Sequence, residues 1–222
     1  MTPYYQGDGV TLYNGDAREI ISSLGSFDSL ITDPVWPNAL KTLKGSEKPF
    51  ELLSQTLTAP GWNAERLALH LGCNSDPRFL RAVPDSWPFF RTVSMDYAIP
   101  YYRGPLLYTG DTVYLFGKVS LVWTGARVIP GRALSNSNRK KERVYGHPCS
   151  RHLTHARWLV KWWGGPVVCD PFCGSGTTLL AAKEHGCSAI GIEIEEKYCE
   201  LAALRLSQLT LPLIYEKGGR AI

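Results

Sequence analysis

Residues 167–208 read VVCDPFCGSGTTLLAAKEHGCSAIGIEIEEKYCELAALRLSQ. Apolar Val167, Val168 and Cys169 end on Asp170, a turn over 171–176 carries Gly174 and Gly176, and 177–185 reads as a helix stopped by Gly186. SAIGIEI, 188–194, then reads as a second buried strand. The segment 195–208 reads as a helix in which Tyr198, Leu201, Ala202, Leu204 and Leu206 return near the helical period. Such β-α-β-α alternation implies a parallel sheet.

The N-terminal part repeats the pattern on a smaller scale. VTLYNGDA reads as a strand and turn, REIISSLG as a short helix ended by Gly25, and FDSLITDP as a strand that closes on Asp33. Between the two units, RLALHLG, FFRTVSMDYA and DTVYLFGKVSLVWTG are β-rich, and SRHLTHARWLVKWWGG reads as a helix with Ser150 as its cap and Gly164 past its end. Residues 37–62 and 130–146 are polar, turn-rich and carry no clear period.

Composition narrows the class. The 222 residues are 44% hydrophobic and 20% charged with a net charge of +4, the profile of one globular domain spanning 1–222. A chain of that length buries roughly 70% of the surface it exposes when unfolded, so it needs neither disulfides nor a structural metal. No run approaches the ~18 apolar residues of a membrane span, and MTPYYQGDG lacks the basic and apolar regions of a secretory leader. The expected location is cytoplasmic, without membrane partners, and the six cysteines read as reduced thiols.

Two elements carry chemistry. In DPFCGSG, 170–176, glycines let the backbone approach a ligand at the start of a helix, and Glu193 at the next strand end can hold ribose hydroxyls. A bare βα turn would explain a lone Gly-x-Gly, but not the Asp-Pro-Phe prefix together with the spaced Glu193. No Gly-Lys-Ser/Thr follows, which excludes a phosphate-binding P-loop, and Leu179 stands where a dinucleotide fingerprint has its third glycine. The second element is TDPVWPN, 32–38, at the end of a strand, where open parallel sheets place their sites. Asp33 and the Pro34 carbonyl offer two acceptors and Trp36 a flat face, a set suited to an exocyclic amine on a flat base. The plainer alternative there is an X-Pro turn with Trp36 in the core.

Together these residues resemble the DNA amino-methyltransferases that use S-adenosylmethionine. DPVW matches the family's Asp-Pro-Pro-aromatic motif at three of four places, with Val35 where the second proline stands. DPFCGSGTT matches its cofactor loop, and AIGIEIEEKYCELAALRL its downstream strand and helix. YNGDAREIISSL and HPCSRHLTHARWL resemble its flanking segments. The catalytic motif precedes the cofactor loop, the permuted order of the family's beta group. The resemblance implies a Rossmann-like methyltransferase fold: a mostly parallel twisted sheet with helices on both faces. It implies catalysis by Asp33, Pro34 and Trp36, with Asp16, His147, Asp170, Phe172, Gly174, Gly176 and Glu193 binding S-adenosylmethionine. It implies the N6 amine of adenine in DNA as acceptor. The N4 amine of cytosine, adenine in RNA, and a relative impaired by Val35 stay open, as do a single-stranded substrate, the choice of monomer or homodimer, and the target sequence.

Other features carry less. His147, Cys149, His152 and His155 lack the second ligand pair of a structural zinc site, so no metal is expected. Pro148-Cys149 resembles the Pro-Cys nucleophile of cytosine carbon-5 methyltransferases, which DPVW and the motif order contradict. Between 127 and 157 lie Arg127, Arg132, Arg139, Lys140, Lys141, Arg143, Arg151 and Arg157 against Glu142 alone, a charge of +7, so the rest of the chain sums to −3. Arg139, Lys140, Lys141 and Arg143 are read as binding a phosphate backbone. The segments near 37–62 and 130–147 are left for target recognition. Trp87, Trp123, Trp158, Trp162 and Trp163 read as core or helix-face residues.

Overall fold

The structure, a computed structural model, describes residues 1–72, 74–103, 105–118 and 151–208. Eight strands make one sheet: β1 (Tyr5–Gly7), β2 (Val10–Asn14), β3 (Gly25–Thr32), β4 (Trp62–Leu71), β5 (Phe89–Arg103), β6 (Leu106–Gly117), β7 (Val167–Asp170) and β8 (Ser188–Glu193). Their spatial order is β1-β2-β8-β7-β3-β4-β6-β5. The five strands β2, β8, β7, β3 and β4 run parallel, while β1 on one edge and the β6-β5 hairpin on the other are antiparallel.

Parallel strands are buried on both faces, and successive residues point to opposite sides. Ile31, Ala68 and Val168 accordingly join one apolar layer, while their neighbours Leu30, Leu67, Leu69 and Cys169 join the other. The first layer is covered by α3 (Leu153–Leu159), α4 (Thr177–Glu184) and α5 (Glu196–Ser207), which contribute Leu159, Leu179 and Leu206. The second is covered by α1 (Ala17–Ile20) with the 3-10 turn after it, by α2 (Pro49–Thr58) and by the 3-10 segment Pro77–Ala82. The sheet with helices on both faces is therefore present. No helix among the described residues is long and apolar enough to cross a membrane.

Three local expectations change. The span 37–62 is not all turn: Pro49 opens α2, whose Leu53, Thr56 and Leu57 are buried four or fewer residues apart. Proline fits the first helical turn because its missing N–H is unpaired there anyway. Ser150, read as a cap, lies outside the described residues, and the N-cap position of α3 is taken by His152 without a side-chain cap bond. Beyond α3 the chain makes a π turn, Val160–Gly164, so Gly164 lies inside the helical segment and Gly165, at φ 108°, ends it.

Connectivity then places the site. From β3 the chain crosses through α2 to β4 on one side, and from β7 it crosses through α4 to β8 on the other. The carboxyl ends of β3 and β7 thus flank the point where the winding reverses, where an open α/β sheet leaves a crevice.

Candidate active site

A cleft of about 370 Å³ opens at that reversal, and Asp16, Asp33, Trp36, Arg151, Asp170 and Glu193 all line it. The volume is in the range of pockets for small organic ligands. An acid stands at or just beyond the end of four successive parallel strands, β2, β8, β7 and β3: Asp16, Glu193, Asp170 and Asp33. Across β4, Asp111 of β6 is the fifth.

On the β7-β8 side the walls are backbone. Gly174 (φ 50°) and Gly176 (φ 74°) turn the loop with left-handed conformations, and Gly176 caps α4. A Cβ at Gly176 would also stand 3.0 Å from the Ala202 Cβ, so glycine serves both the turn and the seat of α5. Glu193 braces this loop: its Oε2 accepts from the Gly174 N–H at 2.9 Å and its Oε1 from the Glu195 N–H at 2.8 Å. Each oxygen keeps a second lone pair for a hydroxyl. Burial pushes the Glu193 carboxyl up, and these two N–H groups oppose it. Leu179, fully buried, packs over Gly191 of β8, which accounts for the missing third glycine. Asp16 caps α1 through the Arg18 N–H and pairs with the Arg18 guanidinium, which holds its carboxyl below the ordinary value.

Asp170 joins the two halves. Its Oδ1 accepts from Thr32 Oγ1 at 2.8 Å and from the Phe172 N–H at 3.2 Å. The group is 3% exposed, and burial pushes its pKa up to about 7 against the hydrogen bonds from Thr178 and Thr32.

On the β3-β4-β6 side the walls are side chains. Trp36 is partly buried against the second apolar layer and lies over Gly72, where a Cβ would stand 2.2 Å from its Cζ3. Arg151 Nε and Nη2 donate to Asp33 Oδ2 and Oδ1 at 2.5 and 3.0 Å, and Nη1 donates to Asp111 Oδ2 at 2.6 Å. Its guanidinium carbon stands 4.4 Å from the centre of the Trp36 ring. Asp111 also accepts from the hydroxyls of Tyr97 at 3.0 Å and Tyr108 at 2.5 Å. Burial raises Asp111, but Arg151 and the tyrosines outweigh it and hold its carboxyl low. At Asp33 burial prevails over Arg151, and the pKa is raised. His70, buried on β4 near this group, is pushed down to about 3 by burial, with Arg151 adding to the effect, and so is neutral.

The residues singled out in the sequence thus converge: Asp33, Pro34 and Trp36 face Asp170, Phe172, Gly174 and Glu193 across one cleft, with Asp16 at its far end. His147, Cys149, Trp123, Arg139, Lys140, Lys141 and Arg143 lie outside the described residues. Two further members of the basic run, counted in its charge but not assigned to a phosphate, are placed by the structure. Arg151 is spent on Asp33 and Asp111, and Arg157 donates to both oxygens of Glu184 at 2.6 and 2.7 Å, so neither side chain is open to a phosphate. Trp163 is buried and Trp87 and Trp158 are partly buried in the apolar layers. Sequence reasoning missed Asp111, Tyr97, Tyr108 and His70. The available signal was a lone acid in DTVYLFG and a lone histidine in RLALHLG, each within an apolar strand.

A family model described as DNA methylase, of the N6/N4 type, matches residues 121–204. The type II methyltransferase M.ScaI of Streptomyces caespitosus is 27% identical over an alignment covering 92% of this chain and 83% of that protein. Among solved structures, the complex of M1.HpyAVI with SAM superposes with a TM-score of 0.68 at 23% identity, covering 90% of this chain and 100% of that one. The cytosine-N4-specific PvuII DNA methyltransferase superposes with a TM-score of 0.67 at 15% identity, covering 94% and 90%.

Proposed function

We propose that the chain is an N6/N4-type DNA amino-methyltransferase that transfers a methyl group from S-adenosylmethionine to the exocyclic N6 amine of adenine in DNA. The observation that carries this reading is the hydrogen bond from Thr32 to Asp170. It joins the strand end bearing Asp33-Pro34-Val35-Trp36 to the one bearing the glycine loop, so that both open into one cleft.

The residues present fit the cofactor. The loop lines the cleft at Gly174 while Gly176 turns it and seats α5, and the braced Glu193 retains acceptor capacity for ribose hydroxyls. Asp16, Asp170, Phe172, Gly174, Gly176 and Glu193 would hold it, joined by His147. When bound, it supplies a methyl group already activated on a sulfonium.

The protein's part is alignment and charge stabilisation. Asp33 and the Pro34 carbonyl accept the two amine hydrogens and turn the nitrogen lone pair toward the donor. Asp33 takes the proton that the amine loses, directly or through water. Its raised pKa suits that role, since a carboxylate nearer neutrality is a better proton acceptor. Trp36 stacks on the base, which must leave a duplex at a cost of a few kcal/mol; stacking returns about 1–3 kcal/mol. With Val35 in the motif, Asp33, Pro34 and Trp36 still line the cleft, which supports an active enzyme over an impaired relative. A purine covers more of an indole than a pyrimidine does, which favours adenine over cytosine.

Arg139, Lys140, Lys141 and Arg143 bind the phosphate backbone, and the segments near 37–62 and 130–147 recognise the target. The first of these already borders the cleft through Asn38, Leu40, Leu43 and Lys44. The protein acts in the cytoplasm. Incubation with methyl-labelled S-adenosylmethionine and DNA or RNA, followed by digestion to nucleosides, tests the reading: label is expected in N6-methyldeoxyadenosine. Label in N4-methyldeoxycytidine or in a ribonucleoside would replace the acceptor, and none anywhere would overturn the activity.

A further inference from the structure

Arg151 lines the cleft beside Asp33 and Trp36, and the proposed reaction assigns it no role. Its guanidinium is flat, lies against the Trp36 ring and donates two N–H bonds to the two oxygens of Asp33. A flat base with an exocyclic amine would use the same ring and the same carboxylate. The two cannot be satisfied together, because the guanidinium already spans Asp33 and covers the indole.

The third donor of Arg151 points elsewhere, to Asp111. That carboxylate is 3% exposed and is held by the hydroxyls of Tyr97 and Tyr108, on β5 and β6. It is a fixed anchor at the back of the cleft. If Arg151 lets go of Asp33 while keeping Asp111, its charge is never left buried and alone, which removes the main cost of breaking a buried pair.

We propose that Arg151 is a stand-in for the target base: it fills the base position on Trp36 and Asp33 until a nucleotide enters, then withdraws onto Asp111. It thereby acts as a specificity-determining residue. An incoming base must replace both the stacking and the paired hydrogen bonds of the guanidinium. Thymine or uracil would set a carbonyl oxygen against the Asp33 carboxylate and could not replace them. The inference rests on the reading that Asp33 and Trp36 receive the target base.

The test compares initial rates of methylation of genomic DNA from a methylation-free host for wild type, Arg151→Gln, Asp111→Asn and the double variant. Each is taken at its own pH optimum, because Asp33 without the guanidinium ionises at higher pH. Arg151→Gln is expected to lower the DNA KM about tenfold, the scale of one charge-assisted pair, with the effect on KM rather than kcat. Asp111→Asn removes the second anchor, holds Arg151 on Asp33 and raises KM by about the same factor. The double variant follows Arg151→Gln, since no guanidinium is left to hold. Calorimetric binding of S-adenosylmethionine reports whether each variant is folded. Should Arg151→Gln not fold, Arg151→Lys, which keeps the charge but neither the plane nor the fork, is expected to lower KM less. If Arg151 and Asp111 variants both lose kcat without opposite shifts in KM, or combine additively, Arg151 is a fixed support and the proposal falls. Retained turnover in Asp33→Ala would instead overturn the underlying reading.

Discussion

The two walls of the cleft are built from different materials. The β7-β8 wall is backbone: a glycine loop, two left-handed residues and one glutamate whose oxygens brace the turn across a separation of 19 residues. The opposite wall is side chain: Asp33 after β3, Tyr108 on β6 and Arg151 before α3, backed by His70 on β4, Tyr97 on β5 and Asp111 on β6, with the two members of its central ion pair 118 positions apart. The first wall is a local shape suited to one ligand. The second is a set of partners that can be exchanged, which is what a site must offer if a macromolecular substrate inserts and leaves.

The sharpest way to break this comparison is to damage one wall and read the other. Asp33→Ala is expected to reduce methyl transfer at least about a thousandfold, through loss of both amine alignment and the proton acceptor. Affinity for S-adenosylmethionine should stay near wild type by calorimetry. Glu193→Ala should do the reverse: affinity falls about ten- to a hundredfold, since the variant removes a ribose acceptor and leaves the N–H groups of Gly174 and Glu195 without their partner. A common loss of both properties in both variants would show that the walls are one cooperative unit.

The same contrast explains what the sequence disclosed. The parallel sheet, the order of motifs and the glycine loop were legible because each rests on local pattern: a strand that ends on Asp170, glycines at fixed offsets, an acid at the next strand end. Asp33-Pro34-Val35-Trp36 was legible as chemistry but not as geometry, since nothing near it in sequence shows that Arg151 lies on Trp36. Arg151 was counted only as one charge in a basic run. Its partner Asp111 sits in the long β5-β6 hairpin, whose register with β4, Leu71 opposite Thr112, is set by tertiary packing. The helix α2 was hidden for another reason: its flanking polar residues dilute the period of Leu53 and Leu57 over only ten positions.

Asp170, shared by both walls, gives a smaller and graded effect. Its folded pKa, about 7, lies above the ordinary 3.8, so the folded state retains a proton that the unfolded chain has released. Stability from this group is therefore fully present below the ordinary carboxylate range, falls as pH rises toward about 7, and is flat above it, with a slope no steeper than about 1.4 kcal/mol per pH unit. Asp33 and Glu193 are raised too and slope the same way, so the difference between wild type and Asp170→Asn isolates the one group. Urea unfolding between pH 5 and 8, at roughly half-unit steps, should show that difference shrink as pH rises. A constant difference would mean that Asp170 is ionised throughout.

The smallest effect separates two arginines six residues apart. Arg157 forks onto Glu184 much as Arg151 forks onto Asp33, but its side chain is 37% exposed and ties α3 to α4 outside the cleft. Water screens such a pair, so Arg157→Met is expected to cost no more than about 1 kcal/mol in urea unfolding, and less at high salt. With its guanidinium engaged by a carboxylate, Arg157 should also leave the salt dependence of DNA binding unchanged. Neutralising Arg139, Lys140, Lys141 and Arg143 together should make that dependence shallower by roughly one counterion for each phosphate that those side chains neutralise in the wild type. An altered salt slope in Arg157→Met would mean that phosphate competes successfully with Glu184, and that the DNA-facing surface extends past the cleft along α3.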